Sequence, residues 1–262
     1  MSARKYYERI GKVLGAINDR EMTKIEEAGE LFAGAIAAGK RVYLFGSGHS
    51  VIPVMDIFPR YGSFVGFFPL YDPRLMWHNV VGPGGARELL WLERREGYIA
   101  QFLQSYAFEP GDCLIVFSHG GMNAAPIEAA LYAKERGLKV VSVSSLANAA
   151  VMKTNHSSGK SLSECADIAI DNCVAPEDAQ VDIGQVDIGQ PEKVAAGSTM
   201  AVVFVAMALV AETGARLAAK GKVPPTFVSP NVPGVAKDHN FRVFDTFTEK
   251  LFERSPVARV KA

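Results

Sequence analysis

Val42-Tyr43-Leu44-Phe45-Gly46-Ser47-Gly48-His49-Ser50 is the stretch that decides how this chain is read. Four residues that favour extended backbone run straight into glycines and hydroxyls, and a helical pattern restarts at about residue 50. A strand that ends this way points free backbone N–H groups, and the positive end of the next helix, at one small volume. The same local chemistry returns at Cys113-Leu114-Ile115-Val116-Phe117, followed by Ser118-His119-Gly120-Gly121-Met122-Asn123. Glycines admit close approach of the backbone to a ligand, and short hydroxyl and amide side chains add donors without bulk. Two such loops in one chain point to a site for a small anion, a phosphate first of all.

Working outward, residues 4–38 read as helix with a break near Asn18-Asp19, an N-terminal helical pair. Ile10, Val13, Leu14 and Ile17 share one face, and Ile25, Ala28, Leu31, Phe32 and Ile36 another. Strands are expected at 41–46, 63–68, 113–118, 139–144 and 167–171, with helices at about 50–60, 95–107 and 123–136. Gly137 closes the last of these before Val140-Val141-Ser142-Val143. Alternation of this kind, with strands apolar on both faces, predicts an α/β fold with a five-stranded parallel sheet flanked by helices. In the flavodoxin-like order 2-1-3-4-5, strands one and three are neighbours that the chain leaves in opposite directions. Both polar loops then flank the crevice at that switch point.

Beyond the core (41–172) the character changes. Residues 174–196 contain a perfect tandem repeat, Val181-Asp182-Ile183-Gly184-Gln185 then Val186-Asp187-Ile188-Gly189-Gln190, which reads as a lengthened surface loop. A long helix follows at 197–220, then a proline-rich extended stretch at 223–234 and a short amphipathic helix from Asn240 to Glu253. The apolar run Ser198 to Val210, about 13 residues, is too short to span a bilayer and reads as a buried helix.

Bulk properties fit an enzyme-sized domain that can bury a large core: 262 residues, with 28 basic and 28 acidic side chains. Zero formal charge gives no footprint for nucleic acid or a membrane surface. The three cysteines, Cys113, Cys165 and Cys173, lack CxxC spacing and read as reduced thiols. Met1-Ser2-Ala3-Arg4-Lys5 runs into a charged amphipathic pattern unlike a signal peptide, so the expected location is cytoplasmic.

Gly46-Ser47-Gly48-His49-Ser50, the later Ser118-His119-Gly120-Gly121-Met122-Asn123 with Pro126, and the block 155–172 resemble the SIS (sugar isomerase) domain family. The likeness is strongest to bacterial phosphosugar-isomerase-like proteins of similar length. It runs from about residue 4 to 253 and implies one SIS domain over 1–262: N-terminal helices to 40, the core, and a tail from 173. It also implies a homodimer or homotetramer joined through the N-terminal helices. The family's loops after strands one and three hold the phosphate of a sugar phosphate. Ser50 falls at a phosphate-binding serine, and Ser118 and Asn123 at hydroxyl positions of the pattern S-x-S-G-x-S/T. The chain departs from that pattern, with His119 for a small residue and Gly120 for the middle serine, which shifts binding toward backbone N–H groups. Ser145 and Lys160 complete the candidate binding set. Related phosphoheptose isomerases place metal ligands where this chain has Asp56 and Arg60, so neither metal nor cofactor is expected.

Aldose–ketose isomerisation requires a base to move a proton between adjacent carbons and a group to open the ring. The resemblance marks Glu93, expected at the start of the helix leading into strand three, as the base, with Glu88 and Asp56 as alternatives. His156, in a polar stretch with no core reason for an imidazole, is the candidate for ring opening. His78 lies on a glycine-rich loop, 72–87, placed to close over the crevice. The expected activity is a cofactor-independent isomerase of a phosphorylated or otherwise anionic sugar. The alternatives are an etherase or lyase on an N-acetylated sugar phosphate, and a sugar-phosphate sensor without turnover.

Overall fold

The computed structural model describes residues 1–76, 78–185 and 191–254. Five parallel strands, β1 (Val42–Gly46), β2 (Phe67–Pro69), β3 (Cys113–Phe117), β4 (Lys139–Ser144) and β5 (Ile168–Asp171), form one sheet in the order β2-β1-β3-β4-β5. This is the expected sheet and strand order. Alternating side chains send Leu44, Ile115, Phe117, Val141 and Val143 into one core, under the helices α1 (Ser2–Ala37) and α8 (Ser198–Ala219). Tyr43, Phe45, Leu114, Val116 and Val140 enter the other, with α4 (Tyr98–Leu103) and α5 (Ala124–Glu135). A strand buried on both faces favours apolar residues along its length, and that is what made β1 and β3 legible.

Between the strands run α2 (Val51–Ile57), α3 (Ala86–Leu92), α6 (Leu146–Val151) and α7 (Leu162–Cys165). The tail carries a hairpin, β6 (Ala179–Gln185) with β7 (Pro191–Ala196), and a final helix, α9 (His239–Phe252).

Several expectations are corrected. The N-terminal helical pair is one helix of 36 residues with no break at Asn18-Asp19. Its single buried stripe is Ile10, Val13, Ile17, Glu21, Ile25, Ala28 and Phe32. Glu21 interrupts the apolar pattern in sequence, yet its Oε2 accepts the Asp171 N–H at 3.0 Å and pairs with Lys24 at 2.8 Å. The stripe of the first half is covered within this chain by α8 and the β6 hairpin, leaving Ile17 fully buried, so it needs no second subunit to hide it.

The stretch read as a surface loop is in part the hairpin: the first repeat copy lies in β6, and the second (186–190) lies outside the described residues. α8 extends 22 residues, long and apolar enough to cross a membrane by length and composition. It packs against α1 instead, with Ala201, Val205, Ala206 and Leu217 fully buried. Strand two is shorter than expected because Ser63 and Val65 pair with the proline-rich segment: Phe227 N–H donates to Ser63 O at 2.8 Å and Val65 N–H to Pro225 O at 3.0 Å.

Candidate functional site

Both polar loops sit side by side at the C-terminal ends of β1 and β3, which pair along their whole length, Val42 with Cys113 through Gly46 with Phe117. The first loop folds back on its strand so tightly that a Cβ on Gly46 would lie 2.1 Å from the Ser50 carbonyl oxygen. Only glycine permits this turn. In the second loop the Ser118 hydroxyl accepts the Gly121 N–H at 3.2 Å, a local turn that aims the chain at α5. Below it the Asn148 amide donates to Gly120 O at 2.7 Å, and Ser145 N–H donates to His119 O at 2.9 Å. Among the described residues the backbone N–H groups of Gly48, Gly120 and Met122 meet no acceptor, which leaves them as donors toward an anion.

Glu93 closes the gap between the loops. It follows the last residue of α3 rather than starting a helix toward β3, which corrects the expected placement. α3 itself occupies part of what read as loop and helix start, because Pro83 and three nearby glycines end at Gly85, the N-cap of α3. The Ser47 hydroxyl donates to Glu93 Oε2 at 3.0 Å. The Glu93 carbonyl accepts the N–H of Ala125 in the first turn of α5 at 2.9 Å. Its side chain thus reaches the first loop while its backbone is tied to the helix after the second. The residue is only 7% exposed. Burial pushes its carboxyl above the usual carboxylate range, against the opposing pulls of the Ser47 hydroxyl and the Arg94 charge.

The other candidates divide. Ser50, Ser118 and Asn123 are half-buried on the two loops, and His49 is exposed on the first. His119 turns toward β5, where its Nδ1 lies 3.1 Å from the Asn172 amide nitrogen. It therefore does not pair with His49 across the crevice. Ser145 is fully buried: its hydroxyl donates to Val174 O at 2.6 Å and caps α6 by accepting from Asn148 N–H at 3.1 Å. That geometry makes it a support under the second loop, not a ligand-facing group. Asp56 forms a surface ion pair with Arg60 at 2.5 Å. Glu88 Oε2 accepts the Gly84 N–H at 2.8 Å and holds the 82–85 turn. Neither of these acids is drawn to the loops as Glu93 is.

His156 is brought to Glu96 rather than Glu93. Its Nδ1 lies 2.8 Å from the Ser158 hydroxyl and its Nε2 3.8 Å from Glu96 Oε2. Glu96 also accepts the Ser157 N–H at 2.7 Å and the Ser157 hydroxyl at 2.6 Å. This latch ties the 154–160 loop to the turn after Glu93, while Asn155 N–H donates to Met122 O at 2.8 Å and its amide to Asn123 Oδ1 at 3.0 Å. Lys160, at the end of that loop, is exposed. Sequence reasoning missed Glu96 and Asn172 as the partners that fix these histidines. Their pairing with these histidines, across 60 and 53 residues, leaves no local signal in the sequence. Among the described residues no cluster of three metal-ligating side chains occurs.

Comparison with known proteins follows this geometry. The family described as SIS domain matches residues 5–145. UPF0309 protein TTE0306 of Caldanaerobacter subterraneus subsp. tengcongensis is 33% identical over 249 residues, 94% of this chain and 97% of the relative. UPF0309 protein SCO4393 of Streptomyces coelicolor is 33% identical over 244 residues, 92% and 93% of the two chains. Among solved structures, a phosphoheptose isomerase from Francisella tularensis superposes with a TM-score of 0.51 at 13% identity, over 80% of this chain and 95% of that one, a likeness of fold. Matched over more than half its length by the family and nearly end to end by relatives at a third identity, the chain belongs to the SIS domain family.

Proposed function

We propose that this protein is a cofactor-independent isomerase of a phosphorylated sugar, with Glu93 as the proton-transferring base. The observation that carries the reading is the placement of one buried, basicity-enhanced carboxylate between two anion-cradling loops, its Oε2 3.0 Å from Ser47. Family membership and the fold shared with a phosphoheptose isomerase agree with it. The phosphate sits against the free N–H groups of both loops and the Ser50 and Ser118 hydroxyls. Glu93 then takes the proton from C2 of the open-chain aldose. The C–H electron pair forms the C1=C2 bond of a cis-enediol as O1 gains a proton. Loss of the O2 proton and return of the first proton to C1 complete the ketose. A carboxyl raised by burial is a stronger base once ionised, which suits this transfer near neutral pH.

Ile52 and Met55 on α2 and Met200 on α8 leave exposed apolar surface, and we read this surface, beside the N-terminal helix, as part of a homodimer contact. A dimer by light scattering at micromolar concentration supports that contact, and a monomer rejects it.

The test of function is solvent exchange. Incubation with a panel of aldose and ketose phosphates in deuterium oxide should label C2 of one substrate, and Glu93→Gln should lower that rate at least ~10²-fold while binding survives. Binding without exchange by any sugar phosphate would instead favour the sensor reading.

A further inference from the structure

Along the edge of the sheet formed by β1 and β2, with Arg41 at the end of β1 opposite Ser47, lies a second cavity of ≈ 370 Å³. α9 roofs it over the β1–β2 face, and its walls are aromatic: Tyr43, Phe58, Phe68, Tyr106 and Phe247. Two arginines, Arg41 and Arg254, interrupt this lining, and Arg41 is the more deeply buried of the two. It is only 5% exposed. Its guanidinium donates to the Lys250 carbonyl and, at 3.4 Å, to the Tyr43 hydroxyl, and stacks 4.6 Å from the centre of the Phe68 ring. All three partners are neutral.

Its acidic neighbours are already paired. Arg254 pairs with Asp112 at 2.6 Å and Glu109 at 3.1 Å, and Lys40 pairs with Glu109 at 3.3 Å. Lys40 and Arg254 thus take up both of these carboxylates, and Arg41 pairs with neither through its side chain. Among the described residues no carboxylate lies within salt-bridge distance of the Arg41 guanidinium, so this buried cation has no counter-charge. A buried cation without a counter-charge is costly, and a cavity of this size suits a small ligand rather than a protein segment.

We propose that this cavity is a second ligand site for a small apolar monoanion, an aromatic carboxylate whose charge pairs with Arg41 while its ring lies among the aromatic walls. Its lining shares no residue with the two polar loops. An occupant here meets none of Ser47, Glu93 or Ser118.

The test compares 4-phenylbutyrate with its neutral analogue 4-phenylbutan-1-ol on the full chain, by calorimetry and ligand-observed NMR. The acid should bind at least tenfold more tightly than the alcohol, and Arg41→Met should bring the two to equal affinity. Arg41 is buried, so its loss can unfold the chain; Ser105→Trp, at an exposed position on the cavity mouth, provides the second variant and should abolish binding of both probes. Equal affinities in the wild type, acid binding that survives Ser105→Trp, or no binding of the acid at millimolar concentration would each overturn the proposal.

Discussion

The Ser47 hydroxyl donates a hydrogen bond of 3.0 Å to Glu93 Oε2, joining the first residue after β1's terminal glycine to the acid that follows α3. This bond stabilises the carboxylate and holds down a basicity that burial raises. Ser47→Ala removes that restraint, so the Glu93 carboxyl should titrate still higher. The acid limb of the kcat/KM profile, which reports the free enzyme, should move to higher pH while the alkaline limb stays in place. An unmoved acid limb would show that Glu93 does not set it.

Glu93 also makes a prediction for stability. It holds its proton more tightly folded than unfolded, so its ionisation costs the native state. That cost is fully present above the folded-state pKa and vanishes once pH falls below the unfolded one. Glu93→Gln should therefore melt at a higher temperature than wild type at pH 8, with the gap closing on acidification toward pH 4. A gap that stays constant with pH would mean the gain comes from something other than a buried charge. A stabilised Glu93→Gln is what the trade between activity and stability predicts for the proposed base.

Gly46→Ala tests the first loop. The added Cβ would meet the Ser50 carbonyl oxygen at 2.1 Å, its carbon at 2.6 Å and the Val51 nitrogen at 3.2 Å, all main-chain atoms that cannot simply rotate away. The turn must open, at about 1–3 kcal/mol of stability by analogy with overpacking. Sugar-phosphate affinity should drop at least tenfold by calorimetry. Retained affinity would move the phosphate away from the first loop.

How much of this was legible in the sequence follows from where the information is stored. β1 and β3 are buried on both faces and run almost wholly apolar, and their limits read to within one residue; β4 was read at its observed limits although Ser142 and Ser144 are buried in it. The crevice followed from the strand order, because a parallel sheet entered from both sides must have a switch point. α1 read as two helices because Asn18-Asp19 falls between two sets of apolar residues; Glu21, next along the buried stripe, is held there by the Asp171 N–H, 150 residues away, and by Lys24. The β6–β7 hairpin was hidden by its tandem repeat. His156 was legible as a residue with no core reason to exist, but not its anchorage, since Glu96 lies 61 residues from Ser157 and looked like one acid among several. Ser145 looked like another ligand-facing hydroxyl, and tertiary packing turned it into a cap.

The orientation of His119 is the last consequence. Asn172 Oδ1 accepts the Val174 N–H at 3.0 Å, which assigns the other end of its amide as the donor facing His119 Nδ1 at 3.1 Å. Nδ1 is then an acceptor and the ring proton of neutral His119 resides on Nε2, a buried atom with no partner among the described residues. Nitrogen-15 NMR of the labelled imidazole should show the Nε2–H tautomer in the wild type. Asn172→Asp replaces the donor with a carboxylate, so the proton should move to Nδ1. If the Nε2–H is a donor to a sugar oxygen, Asn172→Asp should also weaken sugar-phosphate binding, whereas Asn172→Ala, which leaves the tautomer unconstrained, should weaken it less. A wild-type spectrum showing the Nδ1–H tautomer would reverse the assignment, and unchanged affinity in Asn172→Asp would leave His119 as a structural ring beneath the second loop.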